Sequence, residues 1–106
     1  MIDVEAISQQ LHVRAEVLKR IIVSFSQALA GKLAELSEVH EKSDILKMRA
    51  ILHEIRGTSG NLRLQDVHSS AVTLHEAVKA GAAKEKTTAY LEDLKKKAAL
   101  LAEDLK

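Results

Sequence analysis

Cysteine, proline and tryptophan are absent from this 106-residue chain, and its aromatic side chains are a single Phe and a single Tyr. Without cysteine there is neither a disulfide framework nor thiolate chemistry, and a reducing compartment is expected. An excess of charge is missing too. Sixteen Lys and Arg stand against fifteen Asp and Glu, for a formal net charge of +1, which excludes a nucleic-acid binder working through bulk positive charge. No uninterrupted apolar run approaches the roughly 20 residues that a bilayer-spanning helix needs. Met1 to Glu5 include acidic residues and lack the basic start and apolar run of a secretory leader, so none is expected. Four glycines, no proline and few aromatic strand formers leave helix as the expected structure. The length suits one domain, 1–106.

What is present is helical periodicity. From Val13 to Val39 the residues Leu18, Ile21, Ile22, Phe25, Leu29, Leu33 and Leu36 recur at spacings of three and four, drawing one apolar stripe on a long helix. A short helix is expected before it, capped by Asp3 with Glu5 in the first turn. Ser43 is the expected cap of a second long helix, with Asp44 in its first turn and Met48, Ile51, Leu52, Ile55 and Leu62 as its apolar set. A third reads from about Asp66 to Ala80, carries Val67, Ala71, Leu74 and Val78, and stops at Gly81. The last reads from about Thr88 with Leu91, Leu94, Ala98, Leu101 and Leu105. The expected architecture is all-α, an antiparallel up-down-up-down four-helix bundle with a short extra N-terminal helix. The run Lys95 to Lys97 reads as a solvated face.

Proton or phosphoryl chemistry is sought among the histidines, the side chains whose ordinary pKa lies near neutrality. Position separates them. With His53 as origin and about 100° per residue, Met48, Ile51, Leu52, Ile55, Ser59 and Leu62 fall about 160° to 260° away, so His53 points out of the bundle. On its own side lie Leu46, Arg49, Ala50, Gly57, Gly60 and Leu64, with Arg56 on the flank. Each glycine costs about 1 kcal/mol relative to alanine inside a helix. Gly57 and Gly60 therefore read either as a clearing beside the imidazole or as a break between two shorter helices. The continuing phase of Leu62 favours the clearing. Lys47, Arg49, Arg56 and Arg63 outnumber Asp44 and Glu54 along this stretch, which suits an anion on the ring or an acidic partner.

The block His53-Glu54-Ile55-Arg56-Gly57-Thr58-Ser59-Gly60-Asn61-Leu62 resembles the signature of the histidine-containing phosphotransfer domain of two-component phosphorelays. The likeness lies in a His, an apolar residue two on, a basic residue three on, a Gly four on and a run of small residues behind it. It extends over most of the chain, with Phe25 on the preceding helix and Leu74-His75-Glu76 ending near Gly81 in similar places. The resemblance implies that His53 accepts a phosphoryl group from a receiver-domain aspartate and passes it to another receiver. Arg56 then supplies positive charge, and Leu46, Arg49, Ala50, Gly60 and Leu64 meet the receiver. It implies response-regulator receivers and a sensor histidine kinase as partners, no cofactor or metal, no nucleic acid, no direct membrane contact, a monomer, and a cytoplasmic setting, free-standing or as the tail of a membrane sensor kinase. Arg63 stands where the family often has Gly. His75 stands where many members carry Gln or Glu, and it reads either as a hydrogen-bonding partner of the non-reacting nitrogen of His53 that helps keep that ring neutral, or as a boundary histidine with no partner.

Other chemistry is thinly represented. His68 and His75 share a helix face, but no third ligand accompanies them, so a metal or haem carrier is not favoured. His12 and His40 sit near element ends and read as solvated. The serines show no acid and base arrangement of a hydrolase. No phosphate-cradling glycine loop is present, so ATP-dependent kinase activity is not expected. The alternative to a relay is a small helical interaction module whose exposed Leu46, Ala50 and Leu64 bind a partner without phosphotransfer.

Overall fold

A computed structural model describes residues 2–106. Met1, the start of the stretch read above for a leader, lies outside them. The described chain forms helices α1 (Val4–Leu11), α2 (Ala15–Glu41), α3 (Ile45–Asn61), α4 (Gln65–Lys79) and α5 (Lys84–Asp104), with no strand among the described residues. The Asp3 carboxylate accepts from the Ala6 amide at 3.0 Å and caps α1. At α3 the cap is Asp44, which accepts from the Lys47 amide at 3.3 Å, and not Ser43. Ser43 stands one residue earlier in a left-handed conformation, φ 55°, which ends α2. Gly57 and Gly60 lie inside α3, whose last helical residue is Asn61, so the alternative of a break between two shorter helices is absent.

Packing follows the apolar stripes. α2 lies against α3, α3 against α4, α4 against α5, and α5 returns to α2, closing a ring; α1 packs on α2. Leu18, Ile22, Leu29, Leu36, Met48, Leu52, Ile55, Leu74 and Leu94 are the largest fully buried side chains inside that ring. A 27-residue helix is about 40 Å long at 1.5 Å per residue, and α2 accordingly sets the 42 Å long dimension of the molecule. No helix among the described residues is long and apolar enough to cross a membrane.

Three further expectations fail here. Ile21, read as part of the α2 stripe, is 45% exposed. Leu64 is buried, 5% exposed, and joins the core. The helical phase of α3 ends at Asn61, and Arg63 at φ 59° turns the chain and drives Leu64 inward as the residue before α4. His40 is not solvated but 7% exposed. Its Nε2 lies 2.8 Å from the Thr87 hydroxyl of α5, a helix that begins at Lys84, four residues before the expected start near Thr88.

Candidate functional site

Asp44 fixes the start of α3, and the buried stripe Met48, Ile51, Leu52, Ile55 and Ser59 fixes its rotation. The opposite face must then meet water, and His53 is exposed on it with no side-chain hydrogen bond among the described residues. Leu46, 76% exposed, and Ile45, 45% exposed, lie on the N-terminal half of the same helix, with Arg49 and Ala50 exposed between them and His53. A β-carbon added at Gly57 would meet nothing within 4 Å, so the surface one turn beyond the imidazole is open. Beside the ring, Glu54 is tied to Lys32 of α2 by a charged hydrogen bond, which holds its carboxyl below the usual range.

Gly60 differs from Gly57. A β-carbon there would sit 3.0 Å from Cε1 of His68, so this glycine makes room for a ring on α4, not for an approach to His53. Nδ1 of His68 lies 2.9 Å from the backbone oxygen of Arg56. A carbonyl can only accept, so Nδ1 carries the proton. Ser59, fully buried, donates to the Ile55 carbonyl at 2.6 Å, and its oxygen lies 3.5 Å from the same His68 nitrogen. His68 thus latches α4 to α3 within a turn of the site.

Arg56 points to α4. Its Nη1 donates to Oε1 of Glu76 at 3.1 Å and to Nδ1 of His75 at 3.4 Å. A guanidinium has no acceptor, so Nδ1 of His75 is unprotonated and the neutral ring bears its proton on Nε2. Burial, and then the Arg56 and Lys79 charges, push the His75 pKa down. Of the two readings of His75, neither a bond to His53 nor a partnerless ring is found among the described residues: His75 is 7% exposed at the α3–α4 seam and its Nδ1 accepts from Arg56.

Of the residues singled out from sequence, His53, Arg49, Ala50, Leu46 and Gly57 share the open face of α3, whereas Arg56 and His75 meet at the seam behind it. Gly60 and Leu64 serve packing. Glu76, Lys32 and the His68 latch were missed. Their partners lie on other helices at separations of 12 to 22 residues, and no spacing within one helix signals such pairs. Among the described residues no group of three or more His, Asp or Glu is placed to hold a metal ion. No protein-family model, curated protein or solved structure matches the chain.

Proposed function

We propose that this chain is a phosphotransfer carrier in which His53 accepts a phosphoryl group from a receiver-domain aspartate and returns it to the same or another receiver. The observation that carries the reading is an exposed imidazole that makes no hydrogen bond among the described residues, beside the unfilled space at Gly57. In the transfer, the lone pair of the unprotonated ring nitrogen attacks phosphorus of the aspartyl phosphate. The N–P bond forms as the P–O bond breaks, the carboxylate leaves with the electron pair, and the other ring nitrogen keeps its proton. Any metal and acidic pocket belong to the receiver. The exposed Ile45, Leu46 and Ala50 offer apolar docking area, while Lys47 and Arg49 complement an acidic partner.

The same reading takes α2 to α5 as an up-down-up-down bundle with α1 appended. The closed ring of packing and the short connections support it. A cytoplasmic setting and a sensor kinase upstream belong to this proposal.

The test uses receiver domains charged on aspartate with acetyl phosphate. The intact chain should acquire acid-labile, base-stable label, and His53→Gln should keep the helical circular dichroism spectrum and take none. Label persisting on His53→Gln would move the acceptor elsewhere. Receiver binding without label on the intact protein would leave an interaction module in place of a carrier.

A further inference from the structure

Arg56 carries the positive charge nearest to His53 along α3, three residues on, and residues at this spacing are neighbours on a helix surface, with β-carbons about 5–6 Å apart. Yet its charge is already engaged. Nη1 is bonded to Glu76 at 3.1 Å and to His75 at 3.4 Å, and the same Glu76 oxygen lies 3.9 Å from Nζ of Lys79. One carboxylate thus stands between two cations at the α3–α4 seam. The Arg56–Glu76 pair is half in water, with side-chain exposures of 37% and 54%, so exchanging the partner of Arg56 costs little. A phosphoryl group on the neighbouring imidazole carries about two negative charges and three acceptor oxygens, and it outcompetes a single carboxylate for a guanidinium.

Resting on the phosphotransfer reading above, we propose that Glu76 is the positioning residue that parks Arg56 in the unloaded state. The phosphoryl group on His53 then takes Arg56 from it, so that Glu76 sets how readily the loaded carrier gives its phosphoryl group up. A competing carboxylate weakens the hold of Arg56 on the phosphohistidine, and onward transfer is favoured by the same amount. The bonds made and broken are those of the transfer already described; Arg56 changes only its hydrogen-bond acceptor. His75, with Nδ1 toward Arg56, lies at the seam in this structure and takes no part in the exchange.

The measurement is the equilibrium constant for transfer between a charged receiver domain and His53, in the full chain. Glu76→Gln should shift it toward phosphohistidine by about two- to fivefold, the range expected for freeing one partner of a half-exposed ion pair. In an Arg56→Gln background the same change should have no effect, a non-additivity that a purely structural role of Glu76 would not produce. Circular dichroism checks that each variant is folded. A wild-type constant for Glu76→Gln, or an equal shift with Arg56 removed, overturns the inference while the carrier reading stands. Failure of the unaltered chain to take label overturns both.

Discussion

Gly57 and Gly60 are one turn apart on α3, yet an added methyl group meets open space at the first and the His68 ring at the second. Gly57→Ala should raise stability by about 0.4–1 kcal/mol, because it restricts the unfolded chain and meets nothing in the folded one. Gly60→Ala should lower it, since His68 has to give way by a few tenths of an ångström while its Nδ1 is tied to the Arg56 carbonyl. Urea unfolding of both variants checks the opposite signs. On the phosphotransfer proposal, Gly57→Gln should slow the rate at which label passes from a charged receiver domain. The sequence made the two glycines look alike because periodicity registers only a missing side chain. What stands opposite is decided by another helix, and the outward angle of His53 was legible because α3 alone determines it.

At the scale of the elements, one turn is used three times. After α2, α3 and α4 a residue of positive φ follows the helix: Ser43 at 55°, Arg63 at 59° and Gly81 at 72°. In each case its amide bonds back three residues and the next amide bonds back five. Ser43 to His40 and Asp44 to Val39 recur as Arg63 to Gly60 and Leu64 to Ser59, and as Gly81 to Val78 and Ala82 to Ala77. Only the last turn carries the residue that such a backbone favours. Arg63→Gly should therefore stabilise by about 0.5–1 kcal/mol, and Gly81→Ala should destabilise by about 1 kcal/mol. Thermal unfolding of the two variants should show shifts of opposite sign. Gly81 as a stop was readable, and the turns at Ser43 and Arg63 were not, since neither residue advertises a left-handed backbone. The start of α5 was hidden in another way. Lys84 to Lys86 carry no apolar stripe, and the buried Thr87 faces its polar partner His40, so the apolar pattern begins only at Leu91.

For the whole molecule, His40 and His75 make folding depend on pH. Both are buried and both have pKa values held below the ordinary 6.5, first by burial and then by nearby Lys or Arg charge. The unfolded chain therefore binds more protons than the folded one between their folded values and 6.5. The stability tied to these two rings should be fully present above about pH 6.5, fall as pH drops through that window, and level off below their folded values. Urea midpoints across pH 4–8 check this, and the double variant His40→Gln with His75→Gln should flatten the slope. The Thr87 hydroxyl donates to the Lys84 carbonyl at 3.1 Å, so it accepts from Nε2 of His40, and that ring keeps one hydrogen bond in its neutral form.

The repeated turn has a further consequence, in chain entropy. Helices α2, α3 and α4 are each joined to the next by three or four residues, and each next helix is also a packing partner. Ordering the chain can then proceed by closing one short loop after another, and the cost of closure grows only slowly with loop length. The α2–α5 contact is the exception, since it brings together segments with two whole helices between them. Once its neighbours have closed, the path left to it is short, so this topology allows the entropic cost of folding to be spread over several small steps.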